Sequence, residues 1–128
     1  MALDVLIVDD SAAIRKILHR VLVQAEVPLG KVHEASDGNE ALEKMKTEKV
    51  GLILSDINMP NMDGIETLTE IRKQNLVTAG TKIIFLSNQN QQSDIDRAKA
   101  LGVDGYIVKA TSIPSEVVDE VKKIMANK

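Results

Sequence analysis

Short apolar runs alternate with amphipathic stretches along the whole chain, and this alternation restricts the possible folds more than any other feature of the sequence. The runs are aliphatic or β-branched and nearly continuous, which is typical of strands buried on both faces. The second run instead alternates apolar with polar residues and predicts a strand at the edge of a sheet. The runs are LDVLIV at 3–8, KVHEA at 31–35, GLILS at 51–55, KIIFLS at 82–87 and GYIV at 105–108.

The intervals between the runs carry helical patterns, in which apolar residues recur three and four positions apart. On the first helix Arg15, Lys16, His19 and Arg20 fill the opposite face, which we expect to be solvated. The clearest apolar stripes are Ile14, Ile17, Leu18, Val21 and Leu22, and Val117, Val118, Val121, Ile124 and Met125, with weaker ones at 41–45, 65–71 and 95–101.

Polar residues mark where several helices begin. Asp37 with Glu40 and Asp63 with Glu66 have the spacing of a capping box, in which two side chains and two backbone N–H groups pair reciprocally. The remaining signals are Ser93 with Asp94, for the cap of the fourth helix, and Gly102, for its left-handed end.

Strict alternation of strand and helix predicts an α/β fold with a parallel sheet and right-handed crossovers. Five strands are too few for a closed barrel, so the prediction is a doubly wound, five-stranded open sheet of the (βα)5 type. At 128 residues the chain has the length of one domain, so we expect a single domain over 1–128 with no output domain.

Composition excludes several classes of function. The chain has no Cys, which excludes disulfides, thiol catalysis and Cys-based zinc sites. A net charge of −3 and only one Tyr and one Phe argue against nucleic-acid binding. The longest apolar stretch, at 50–54, is far short of the roughly 20 residues needed to span a bilayer, and no signal peptide is visible. We therefore expect a cytoplasmic protein without membrane insertion.

Polar residues follow four of the five predicted strands. Asp9 and Asp10 come after the first, Asp56 after the third, Ser87 ends the fourth and Lys109 follows the fifth. Taken singly, each has an ordinary explanation as a helix cap, a turn residue, a loop hydroxyl or a surface lysine. The carboxyl ends of parallel strands meet at one edge of the sheet, however, where ligands bind in open α/β folds. We therefore expect these side chains to form one site.

Three carboxylates at one edge repel each other, by about 4 kcal/mol for a pair 4 Å apart at an effective dielectric near 20. Such a cluster needs a counter-charge. The donors are all oxygens, which favours a hard cation, Mg²⁺ with Mn²⁺ as the alternative, over zinc or copper. A divalent cation together with Lys109 would neutralise Asp9, Asp10 and Asp56 and suit the site to a phosphoryl group.

Four segments together resemble the receiver domain of two-component response regulators. They are VDD at 8–10, SDINMPNMDG at 55–64, LS at 86–87 and YIVK at 106–109, and they span nearly the whole chain in order. Within the family the chain is most similar to the stand-alone chemotaxis regulators. The resemblance implies a flavodoxin-like sheet with strand order 2-1-3-4-5.

The resemblance also implies roles for the acidic residues. Asp56 is the expected phosphoacceptor, which takes the phosphoryl group from a histidine kinase or a phosphotransfer protein. Asp10, Asp56 and the backbone carbonyl of Asn58 are the expected Mg²⁺ ligands, with Asp9 acting through water.

The switch residues follow from the same resemblance. Lys109 pairs with a phosphoryl oxygen, Ser87 turns its hydroxyl onto the phosphoryl group, and Tyr106 moves inward behind it. The face of helix four, strand five and helix five then binds a downstream protein target. Ala110 follows Lys109 where the family usually has proline. The expected state is a monomer, with dimerisation on phosphorylation left open.

Two other functions stay open at this stage. A phosphorelay shuttle, which passes the group to a second histidine protein, has the same sequence features. A Mg²⁺-dependent phosphohydrolase with an Asp nucleophile is disfavoured, because haloacid-dehalogenase-like phosphatases need a second Asp two residues on as general acid. Asn58 stands there and cannot play that part.

Overall fold

In the computed structural model, strands and helices alternate as the sequence predicts. The structure describes residues 3–24, 29–57, 62–76, 81–87, 92–108, 119 and 122–123. The predicted C-terminal helix at 117–125 lies largely outside these residues. The elements are β1 (Leu3–Val8), α1 (Ala12–Gln24), β2 (Leu29–Ala35), α2 (Gly38–Thr47), β3 (Leu52–Asp56), α3 (Gly64–Lys73), β4 (Lys82–Ser87), α4 (Gln92–Ala100) and β5 (Gly105–Val108).

The five strands form one parallel sheet in the order β2-β1-β3-β4-β5, which confirms the predicted architecture. β2 is an edge strand, as its alternating pattern indicated, although it begins two residues before the predicted start. β1 pairs with β2 on one side and β3 on the other, so the strand order reverses around it. Ligands of such sheets bind beyond the carboxyl ends of the strands at this reversal.

The sheet is buried on both faces, which explains the continuous apolarity of its strands. Along β1, Leu6 and Val8 join a core cluster with residues of α2, α3 and α4, whereas Val5 and Ile7 join a cluster with α1. Successive side chains of a strand point to opposite faces, so one strand supplies both cores. Ile17 belongs to the predicted apolar stripe of α1 but is not buried with it, since the residue is 44% exposed.

Two of the predicted helix starts are confirmed, and the one at Asp63 has both bonds of the predicted capping box. The Asp63 side chain accepts a hydrogen bond from the Glu66 N–H at 2.7 Å, and Glu66 accepts from the Asp63 N–H at 3.4 Å. Asp37 caps α2 by accepting from the Glu40 N–H at 2.9 Å, while the Glu40 carboxylate accepts from the N–H and hydroxyl of Ser36. These caps set where α2 and α3 begin relative to the strands before them.

The start of α4 was wrongly predicted. The helix includes residues from Gln92 onwards, so Ser93 and Asp94 lie inside its first turn rather than at its cap. Its predicted end is confirmed: Gly102 has φ +70°, a left-handed conformation that glycine adopts without steric cost. Within the described part of the chain, every helix is too short or too polar to cross a lipid bilayer.

Candidate functional site

The carboxyl ends of β1 and β3 bring three carboxylates together. Val8 and Ser55 are partners in the ladder, so Asp9 and Asp56, the next residues, stand side by side. Carboxylate oxygens of Asp9, Asp10 and Asp56 all lie within 4.8 Å of one another. Asp9 and Asp56 are each 2% exposed, whereas Asp10 is exposed. The expected convergence of these residues is therefore present.

The turn between β1 and α1 fixes Asp9 through its backbone and its side chain. The Asp9 N–H donates to the Ala35 carbonyl at 3.1 Å, which extends the ladder with β2 by one bond. Its carboxylate accepts from the Ser11 N–H at 2.9 Å. Ser11 in turn caps α1, because its hydroxyl accepts from the Ile14 N–H at 3.4 Å. Asp10 stands between these two anchored residues.

The carboxyl end of β3 is held by its neighbours. Asp56 is the last residue of the strand, one residue beyond the predicted end, and the next N–H, of Ile57, donates to the Leu86 carbonyl at 3.3 Å. The Gly64 N–H donates to the Ile57 carbonyl at 2.8 Å. A Cβ on Gly64 would lie 2.2 Å from the Asp56 carbonyl oxygen. The first turn of α3 thus packs directly behind Asp56.

The charges of this cluster suit a hard cation. At 4.8 Å and an effective dielectric near 20, the repulsion between the buried Asp9 and Asp56 carboxylates is about 3 kcal/mol. The N-terminus of α1 offsets part of this repulsion through its dipole and the Ser11 N–H. The remaining imbalance and the purely oxygen donor set fit Mg²⁺ better than zinc or copper.

The other predicted site residues are placed only in part. Ser87 is the last residue of β4 and pairs with Val108, which directly precedes Lys109 in the chain. Tyr106 is level with Phe85 in the ladder and packs, half-buried, against the core beside it. Asn58 and Lys109 lie outside the described residues. The switch roles of Ser87, Tyr106 and Lys109 stay predictions.

Arg15 is a further residue at this site, although the pattern of α1 predicts it on the solvated face of the helix. Its side chain is only 16% exposed. The guanidinium donates to the Asp9 carbonyl at 2.5 Å and to the Glu34 carboxylate of β2 at 2.9 Å. The available signal was its position one turn after the helix cap, close to the end of β1.

The acidic cluster leads to a first testable prediction, for Asp10→Ala. Without metal the variant should melt about 2–5 °C higher than the wild type, because one of three repelling carboxylates is gone. The stabilisation by millimolar Mg²⁺ should disappear, because a ligand is lost. Thermal unfolding with and without Mg²⁺ measures both effects, and Asp96→Ala, which removes an exposed carboxylate of α4, is the control. A lower metal-free melting temperature for Asp10→Ala than for the wild type would show that repulsion among the three carboxylates does not destabilise the fold.

Comparison with known proteins agrees with the geometry. The family model described as the response regulator receiver domain matches residues 5–122. The chain is 38% identical over 120 residues to the chemotaxis protein CheY of Thermotoga maritima, covering 94% of this chain and 95% of that protein. It is 37% identical over 125 residues to CheY of Halobacterium salinarum, covering 98% of each. The solved structure of the chemotaxis response regulator CheY4 of Vibrio cholerae matches with TM-score 0.83 and 31% identity, over 97% of this chain and 99% of that one.

Proposed function

The chain belongs to the response regulator receiver domain family, and on that basis we propose that it is a phosphoryl-accepting switch with Asp56 as the acceptor. The observation that carries the proposal is the convergence of Asp9, Asp10 and Asp56 at the carboxyl ends of β1 and β3. Asp56 is buried at the end of a central strand, and Asp9 and Asp10 lie beside it as candidate ligands for a cation.

The proposed reaction is phosphoryl transfer onto a carboxylate. An Asp56 oxygen attacks the phosphorus of a phosphohistidine or a small phosphodonor. The P–O bond of an acyl phosphate forms as the bond from phosphorus to the donor breaks, and the leaving group takes up a proton. Such transfers depend on positioning and charge neutralisation more than on covalent help. The backbone bonds around Ile57 and the packing of Gly64 supply the positioning on this chain.

The charge neutralisation is assigned to a metal and a lysine. Asp10, Asp56 and the carbonyl of Asn58 would hold Mg²⁺, with Asp9 acting through water. When bound, Mg²⁺ supplies positive charge next to the phosphoryl oxygens. Lys109 would pair with one of those oxygens.

The proposed output is a change of shape at the surface of α4 and β5. New phosphoryl oxygens would recruit the Ser87 hydroxyl, and Tyr106 would follow it inward. Both residues belong to adjacent strands, β4 and β5, so a movement at the first reaches the second directly. The chemotaxis relatives favour a chemotaxis-type pathway in the cytoplasm, with a histidine kinase or phosphotransfer protein upstream and a protein target downstream.

The test is mass spectrometry of the intact chain after incubation with acetyl phosphate and Mg²⁺. We expect one added phosphoryl group per chain, mapped to the peptide that contains Asp56, and no addition when a chelator removes the metal. Absence of the adduct, or an adduct on another peptide, contradicts the proposal.

A second assay separates the switch from an Asp-nucleophile phosphohydrolase. With p-nitrophenyl phosphate, a switch releases about one equivalent of product and then only as much as slow hydrolysis of its acyl phosphate allows, whereas a phosphohydrolase turns over many times. Many turnovers per chain would favour the enzyme. Transfer of the group from the labelled chain to a separate histidine protein would instead identify a phosphorelay shuttle.

A further inference from the structure

We propose that Arg15 is a positioning residue of the acidic cluster: its guanidinium ties the β1–α1 turn to β2 and so holds Asp9 and Asp10 towards Asp56. The inference rests on the proposed function, because it concerns the affinity of that cluster for Mg²⁺. It assigns a role in metal binding to a side chain outside the proposed set of metal ligands.

The contacts of Arg15 join two elements at the cluster. Its Nε donates to the Glu34 carboxylate at 2.9 Å, and a terminal nitrogen donates to the Asp9 carbonyl at 2.5 Å. Guanidinium is planar, with its donors in a fixed fork, so one acceptor orients the group for the other. Glu34, half-exposed on β2, therefore aims Arg15 at the backbone of Asp9.

The bonded carbonyl is the one that sets the direction of Asp10. The Asp9 carbonyl and the Asp10 N–H belong to one planar peptide unit, so fixing the carbonyl fixes the plane from which Asp10 departs. On the other side of Asp9, its N–H is bonded to the Ala35 carbonyl. Without Arg15, the peptide between the two aspartates would lose the hydrogen bond to its carbonyl, and only the side chain of Asp9 would stay bonded on the helix side, to the Ser11 N–H.

Charge and geometry predict opposite changes in Mg²⁺ affinity when Arg15 is replaced. As a positive charge next to the cluster, Arg15 repels a divalent cation, so its removal should tighten Mg²⁺ binding if charge alone matters. As a positioning group, it preorganises the ligands, so its removal should weaken binding. Outer-shell partners of metal ligands typically change metal affinity by about 10–100-fold when they are mutated.

The experiment measures the Mg²⁺ dissociation constant by calorimetric titration and by the dependence of the melting temperature on Mg²⁺ concentration. We expect Arg15→Ala to bind Mg²⁺ about tenfold more weakly than the wild type. Arg15→Lys keeps the charge but cannot span both acceptors, so we expect it to bind several-fold more weakly as well. Arg20→Ala removes the same charge from an exposed position on α1 and should bind at least as tightly as the wild type.

Two further readouts distinguish positioning from a general loss of stability. The Mg²⁺ concentration that gives half-maximal labelling by acetyl phosphate should rise in Arg15→Ala by the factor found in the titration. The amide resonance of Ser11, whose N–H is bonded to Asp9, should move in Arg15→Lys and stay in place in Arg20→Ala. A destabilised variant with an unchanged dissociation constant would show that Arg15 is only structural.

The outcomes separate the two proposals. Wild-type affinity in Arg15→Lys, or tighter binding in Arg15→Ala, overturns the positioning role and leaves the proposed function intact. If Arg15→Ala does not fold, Arg15→Lys decides the question, with weaker Mg²⁺ binding expected at unchanged charge. A wild-type chain that binds no Mg²⁺ overturns both proposals.

Discussion

Asp56→Asn is expected to take up no phosphoryl group from acetyl phosphate under conditions that label the wild-type chain once. An amide has the size of the carboxylate but lacks its nucleophilic oxygen, so the buried site keeps its shape and loses its acceptor. The substitution also removes a charge within 4.8 Å of an Asp9 carboxylate oxygen, so the metal-free melting temperature should rise by several degrees.

A matched variant in the following segment controls for the change in charge. Asp63→Asn removes one carboxylate at the cap of α3, where Asn caps nearly as well as Asp. We expect it to be labelled like the wild type in the same intact-mass assay. Undiminished labelling of Asp56→Asn would mean that another residue is the acceptor, and loss of labelling in Asp63→Asn would mean that net charge alone governs the reaction.

Gly64→Ala has the second largest expected effect, because the added methyl group would collide with the backbone of Asp56, the proposed acceptor. The added Cβ would stand 2.2 Å from the Asp56 carbonyl oxygen and 3.0 Å from the Ile57 Cα, and neither atom is the end of a flexible side chain. α3 or the end of β3 must therefore shift. We expect a destabilisation of about 1–3 kcal/mol and a labelling rate lower by at least about tenfold, because small displacements of a reacting group are costly.

Gly102→Ala is the control for Gly64→Ala. A Cβ at Gly102 meets no atom within 4 Å, so the only penalty is the left-handed backbone, about 1–2 kcal/mol. Both variants should melt earlier than the wild type, as measured by thermal unfolding, but only Gly64→Ala should be labelled slowly at a temperature where both are folded. Equal labelling rates would show that the close packing behind Asp56 has no bearing on the chemistry.

The sequence was sufficient for the architecture because its signals are local and repeated. A strand buried on both faces needs a continuous apolar run, and β1, β3 and β4 show one. The convergence of Asp9, Asp10 and Asp56 then followed from topology, since parallel strands end at one edge of the sheet. The strand order came from the resemblance and is confirmed by the pairing.

The failures of the sequence analysis concern features that only the tertiary structure decides. Arg15 and Arg20 look alike in the pattern of α1, yet Arg15 meets Asp9 and a carboxylate 19 residues along the chain, on β2. Ile17 fits the apolar stripe but is 44% exposed, whereas Leu18 and Leu22 of the same stripe are buried. Asp56 was placed after β3, although its ladder contacts make it the last residue of the strand.

The position of β2 at the edge of the sheet allows changes at this strand to affect the acidic cluster. On its inner side this strand supplies the Ala35 carbonyl to Asp9 and the Glu34 carboxylate to Arg15. In the sheet of described strands, its outer side has no neighbouring strand. A molecule that binds along the outer side of β2, or a substitution that disrupts this strand, is therefore only one strand away from Asp9 and Asp10. Either would change the position of the aspartates without contacting them.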